Sequence, residues 1–197
     1  QQLILPLGNL LRDEIDIFFG NIEKKINPLE SVRKRINGLF IYLSSICYNY
    51  IDLPDNLSRK VWECRNLPEI RKCMTNNQPF DYETHKRFIQ KLNNNTSKLY
   101  LAWFIDDLFI ASFDLVDIIP LESAVIGTYI NPLFNSMGIG SLIENHVAQL
   151  IKQKYHIKSL ISTVLIDNIQ SYNYCIKNGY EEITKDEHFY YLKKRVE

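Results

Sequence analysis

The chain has 197 residues, 46% of them apolar and 23% charged, with 23 Lys and Arg balanced by 23 Asp and Glu. That length suits one domain with an appendage, with a core large enough to need no covalent staples. Zero formal net charge excludes bulk electrostatic capture of nucleic acid or an anionic membrane, and no apolar run reaches the ~20 residues of a membrane span, so neither partner is expected.

Residues 1–46 read as a helical hairpin. Leu10, Leu11, Ile15, Phe18, Phe19 and Ile22 recur at helix spacing, and Asn27-Pro28 supplies a cap and first-turn proline for a second helix carrying Leu29, Val32, Ile36, Leu39, Phe40 and Leu43. This extension is either a packing appendage or a partner surface, and a homodimer stays open. Tyr48 to Leu53 alternates as a strand. Pro54-Asp55-Asn56 turns the chain into a helix over Leu57 to Arg65, Pro68 interrupts, and a short helix runs on to about Met74. After the polar loop Asn76-Asn77-Gln78-Pro79, Asp81 caps a helix through Leu92. An antiparallel meander follows: Leu99 to Ile105, an Asp106-Asp107 turn, Leu108 to Val116, a loop over Ile118 to Ser123, and Ala124 to Ile130, ended by Asn131-Pro132. Leu142 to Lys154 is an amphipathic helix with Ile143, Val147, Leu150 and Ile151 inward. Ile157 to Ile166 is an apolar strand, Asn168 to Asn178 a helix stopped by Gly179, and Tyr180 to Ile183 pairs with Phe189 to Leu192. The order predicts an α/β fold: a mixed central sheet flanked by helices, with a strand–helix–strand crossover at its centre. Two regions are expected, an N-terminal helical extension over 1–46 and an α/β domain over 47–197.

The four cysteines (Cys47, Cys64, Cys73 and Cys175) form no Cys-x-x-Cys pair and have no paired His nearby. No metal is expected, and they read as reduced, mostly buried thiols in a cytoplasmic protein. No basic-then-apolar leader opens the sequence.

The stretch that bears on chemistry is NPLFNSMGIGSLIENH, Asn131 to His146. Two of the chain's seven glycines, Gly138 and Gly140, stand where a helix begins, although glycine weakens helices. One reading is a tight turn that needs flexible residues. The other is an anion seat, because a helix start carries unpaired N–H groups and the positive end of the helix dipole, and glycine lets a phosphate reach them. The Gly-Lys-Ser/Thr ending of a P-loop is absent, as is the third glycine of the dinucleotide fingerprint.

Strand, NPLFNSMGIGSL, helix, the strand LISTVLI and then DNIQSYNYCIKNGYEE resemble, in that order, the GNAT superfamily of N-acetyltransferases. VWECRNLPEIRKCMTNN, DYETHKRFIQKL and the ending HFYYLKK resemble its branch that acetylates a UDP-linked 4-amino-4,6-dideoxy sugar on the pseudaminic acid pathway. The resemblance spans roughly residues 48–195 and implies acetyl-CoA as co-substrate. Tyr129, Ile130 and Asn131 would flank the thioester. Met137, Gly138, Ile139, Gly140 and Ser141 would surround the diphosphate, and Asn168, with Ser171 beside it, would meet the pantetheine arm. Asn135 and Ser136 stand where the family carries Arg, Gln, a basic residue or glycine, so backbone N–H groups must hold the phosphates. The family's tyrosine acid falls on Cys175, with Tyr174 next to it, and a buried structural thiol is the alternative reading of Cys175. A thiol with a pKa of about 8.5 is able to protonate a departing thiolate. Arg65, Asn66, Met74 and Thr75 fall in the region that borders the acceptor, where an Arg suits a nucleotide phosphate. Ser162-Thr163-Val164 carries no acid where the branch often has a carboxylate, which leaves Glu122, Asp117 and His85 as candidate bases. The expected function is acetyl transfer to a small-molecule primary amine, foremost an amino-sugar nucleotide. The alternatives are a polyamine or protein N-acetyltransferase and a non-catalytic CoA-binding module.

Overall fold

The computed structural model describes residues 27–196. The first helix of the expected hairpin lies outside the described residues. The second is α1, Asn27–Leu43, followed by β1 Ile46–Asn49, α2 Asp55–Arg65, α3 Pro68–Arg71 and α4 Tyr82–Leu92. Then come β2 Leu99–Ile105, β3 Leu108–Ile119, β4 Ser123–Ile130, α5 Ile139–Tyr155, β5 Ser159–Leu165, α6 Ile169–Lys177, β6 Glu181–Lys185 and β7 Phe189–Arg195. The seven strands form one sheet in the order β1-β2-β3-β4-β5-β7-β6, in which β4–β5 is parallel and every other pair antiparallel.

Alternation along β2 and β3 sends successive side chains to opposite faces, so each face gathers its own core. Ala102, Phe104 and Phe109 turn toward α2 and α4 and join Tyr50, Leu57, Val61 and Leu92. Phe113, Leu115, Ala124, Ile126 and Leu160 belong to the other cluster, with the inward stripe of α5 and Cys175 of α6. That stripe is Ile139, Ile143, Val147 and Ile151, each at most 1% exposed. Burying each such side chain stabilises the fold by about 1.5–3 kcal/mol. Leu150, expected inward, lies at the exposed rim, because steps of four from Ile139 already fill the stripe.

The strand expected over Tyr48 to Leu53 stops early. The Asn49 side chain accepts the Ile51 N–H and closes a 3₁₀ turn over Tyr50–Asp52. The turn drives Tyr50 into the core, where its hydroxyl meets the Ser112 hydroxyl at 2.7 Å. Helix α5 begins three residues before its expected start, with Gly138 as N-cap at φ 78° and Gly140 inside the first turn. The last strand of the sheet, β6, is exposed along its whole length.

Helix α1 runs beside α5. The Tyr42 hydroxyl bonds the imidazole Nδ1 of His146, and Gly38 presses on Met137 so closely that a Cβ would run into the Met137 carbonyl oxygen. Gly38→Ala therefore forces the helix away from the body, an overpacking cost of about 1–3 kcal/mol. Limited proteolysis should cut within 27–45 roughly tenfold faster in this variant while the sheet melts as before; unchanged cleavage would mean that the contact does not hold α1.

Candidate active site

Four residue pairs, Ser123–Ser159 to Ile126–Ser162, join β4 to β5. Both strands continue, β4 to Ile130 along β3 and β5 to Leu165 along β7, without pairing each other. The sheet therefore splits in the middle. The Asn131 N–H donates to the Ile110 carbonyl at 2.8 Å. By the two-residue alternation of an antiparallel ladder, Tyr129 also spends its backbone groups on β3, while Thr128 and Ile130 turn theirs into the gap. Of the three residues expected around a thioester, Ile130 thus presents its backbone to the gap, and Tyr129 and Asn131 do not. The Asn131 side chain bonds Phe109 O and caps the turn over Pro132–Phe134.

A cavity of about 600 Å³ runs through this gap from one face of the sheet to the other. At its α5–α6 end stand Ser162 to Leu165, Asn168, Ser171, Tyr174 and Cys175. Asn168 caps α6, its Oδ1 accepting the Ser171 N–H at 3.1 Å, which leaves its amide NH₂ for a ligand. The first capping bond within α5 is Leu142 N–H to Gly138 O, and the N–H groups of Ile139, Gly140 and Ser141 have no acceptor among the described residues. Glycine at 140 has a specific cause: a Cβ there would stand 3.3 Å from the Tyr174 ring. Met137 and Ile139 are turned toward the core, so their side chains leave the N–H row uncovered.

Tyr174 and Cys175 both edge the cavity, in different bonding states. The Tyr174 hydroxyl donates to Glu144 Oε2 at 3.0 Å, and Lys194 Nζ donates to Glu144 Oε1 at 2.9 Å. Burial, then the neighbouring Glu144 charge, pushes the Tyr174 phenol far above its ordinary range. Cys175 is buried, and its Sγ meets Ser162 Oγ at 3.5 Å. Burial raises its thiol, so the thiol stays protonated at neutral pH, the form from which a proton can be given.

The α2–α4 end is lined by Arg65, Met74, Thr75, Phe80, His85, Tyr100 and Asp114. Arg65 Nη2 donates to Asn76 O at 3.1 Å, whereas Nη1 is buried without a partner. Asn66 is not part of the lining. It clamps the loop that carries Met74 and Thr75: its Nδ2 donates to Trp62 O and Phe80 O, and its Oδ1 accepts the Phe80 N–H. His85 gives one ring N–H to the Ser58 carbonyl, and burial lowers its pKa to about 4, so its unpartnered Nε2 is an acceptor. Asp117 and Glu122 are exposed and outside the cavity. Sequence reasoning does not single out Asp114. The available signal is a lone carboxylate in the apolar strand LFIASFDLV, opposite Gly127. Among the described residues no group of three His, Cys, Asp or Glu could hold a metal ion, and no helix is long and apolar enough to cross a membrane.

No family model matches the chain. Among curated proteins it is 27% identical over 144 residues to the acetyltransferase PseH of Campylobacter jejuni, covering 73% of this chain and 89% of that protein. The crystal structure of C. jejuni N-acetyltransferase PseH in complex with acetyl coenzyme A superimposes with a TM-score of 0.63 at 23% identity, over 78% of this chain and 99% of that one. Spermidine N-acetyltransferase from Vibrio cholerae, in complex with CoA and spermine, gives a TM-score of 0.67 at 11% identity, over 78% of this chain and 96% of that one. These superpositions show the fold alone, and the fold of this chain is that of the GNAT N-acetyltransferases.

Proposed function

We propose that this protein is an N-acetyltransferase that takes acetyl-CoA into the gap between β4 and β5 and acetylates the amine of an amino-sugar nucleotide. The observation that carries the reading is the row of free N–H groups at Ile139, Gly140 and Ser141, next to strands that part and expose backbone at Thr128 and Ile130. The row suits a diphosphate. The exposed strand edge suits the amides of a pantetheine arm, and an N–H there can polarise a thioester carbonyl. Similarity to a protein named acetyltransferase supports the same chemistry.

Charge supports this acceptor class. Among the carboxylates of the described residues, only Asp114 lines the cavity, and Arg65 brings an unpartnered guanidinium nitrogen to the same end. A polyamine would call for several carboxylates and no buried cation. One carboxylate and one arginine suit an acceptor with a single ammonium and an anionic part. The test is calorimetric titration with acetyl-CoA, followed by thiol-release assays with UDP-linked amino sugars and with spermidine. Micromolar coenzyme binding is expected, with turnover on the sugar nucleotide at least tenfold above that on spermidine. Preference for spermidine would reverse the acceptor assignment, and binding without turnover on any amine would make the protein a coenzyme-binding module.

A further inference from the structure

Gly127 pairs with Asp114, and Asp114 with Tyr100, so the three form one row across β4, β3 and β2 on the face toward α2 and α4. A Cβ at Gly127 would stand 2.7 Å from Asp114 Oδ2. Glycine there leaves open the space between the carboxylate and the gap. The carboxyl of Asp114 makes no hydrogen bond or ion pair among the described residues, although it lies deep in the cavity wall. The charged and titratable groups around it are Arg65 from α2, Lys98 before β2, Tyr50 and Tyr100, with His85 of α4 on the same cavity wall. Two of these, Arg65 and His85, carry buried unpartnered nitrogen atoms. A half-buried carboxylate without a partner carries a desolvation cost, and a buried unpaired donor such as Arg65 Nη1 a larger one. Gathered around one cavity, these groups suit a ligand that offers a cation, an anion and a hydroxyl.

We propose that Asp114 seats the ammonium of the acceptor and takes its proton, while Arg65 Nη1 donates to an anionic group of the same molecule and His85 Nε2 accepts from a hydroxyl. The assignment rests on the acetyltransferase reading above and adds its acceptor-side base, from β3, in a chain whose β5 sets Ser162, Thr163, Val164 and Leu165 beside the gap and no carboxylate. One proton passes from nitrogen to the Asp114 carboxylate. The neutral amine then forms its N–C bond to the acetyl carbonyl carbon as the C–S bond breaks. The second proton leaves nitrogen, and the departing thiolate is protonated. Asp114 returns its proton to water. Burial pushes the Asp114 carboxyl up to about 6, against the opposing pull of Arg65 and Lys98, so the carboxylate is present at neutral pH and is a stronger base than a solvated one.

The experiment compares wild type and Asp114→Asn in the full chain, with acetyl-CoA and the best amine found. Wild-type kcat/KM should fall as pH drops through about 6. D114N should lower kcat about 100-fold, lose that acid limb and bind acetyl-CoA within about twofold of wild type. It should also melt higher than wild type at about pH 8 and level with it at about pH 4, since a carboxyl whose native pKa lies above its unfolded value weakens the fold once ionised. Gly127→Ala, which displaces the carboxylate, should lower kcat in the same direction. A D114N enzyme that keeps more than about a third of wild-type kcat, or keeps the acid limb, overturns the assignment while leaving the acetyltransferase reading intact. Wild-type protein that neither binds acetyl-CoA nor turns over any amine overturns both.

Discussion

Glu144→Ala is expected to lower the free energy of unfolding by about 3–5 kcal/mol, because it breaks a buried ion pair and leaves a cation inside the protein. Glu144 is wholly buried in α5, between the hydroxyl of Tyr174 and the ammonium of Lys194. Removing the carboxylate strands Lys194, whose alternative neighbour is the face of the Tyr180 ring 5.5 Å away. Glu144→Gln keeps a hydrogen-bond acceptor and should lose less than the alanine variant. A double variant, Glu144→Leu with Lys194→Met, should recover most of the loss, since two apolar groups of similar volume often replace a buried pair without penalty. Urea denaturation of the four proteins checks this. An alanine variant within about 1 kcal/mol of wild type would show the pair to be solvated in solution. The pair also bears on chemistry, because it anchors Tyr174 at the start of α5. Under the proposed function, Tyr174, its hydroxyl given to Glu144, would wall the coenzyme channel, and Cys175 would be the donor to the departing thiolate.

Gly140→Val is expected to weaken acetyl-CoA binding by about 30-fold or more while the sheet keeps its melting behaviour. Two or three charge-assisted hydrogen bonds from N–H groups to a diphosphate contribute about 1.5–3 kcal/mol each, and a branched side chain at 140 obstructs them and pushes on the Tyr174 ring. Gly138→Ala separates the two glycine roles. Position 138 has φ 78° and open space around a Cβ, so its cost is backbone strain of about 1–2 kcal/mol rather than collision. Calorimetry with acetyl-CoA reads both variants. Equal affinity of Gly140→Val and wild type would remove the N–H row from the coenzyme site.

The α/β order of elements was legible because periodicity switches from 3.6 to 2 at recognisable turns, as at Asp81 before α4 and Asp106-Asp107 between β2 and β3. The glycines were legible as a pair, but their reasons differ, and only the packed molecule separates them: a left-handed N-cap at 138 and a ring contact at 140. Asn66 could not be separated from Arg65 by sequence. Both sit at the end of α2, and which one reaches the cavity depends on the loop that Asn66 itself ties down. Asp114 was hidden for a related reason. Its importance comes from what stands across two strands from it, and cross-strand register is a tertiary fact. The end of the Tyr48 strand was missed because the side chain of Asn49 competes with the ladder for the backbone.

The outermost strand has a consequence for association. Glu181, Glu182 and Lys185 stand exposed along β6, with Ile183 as the apolar member of the run. A strand added there would have to set its own side chains against this mixed row of carboxylates and ammonium. Glutamates one after another also discourage a second copy of the same segment from stacking antiparallel on itself. That border of the sheet is thus guarded by charge against the templated growth that unpaired backbone otherwise invites.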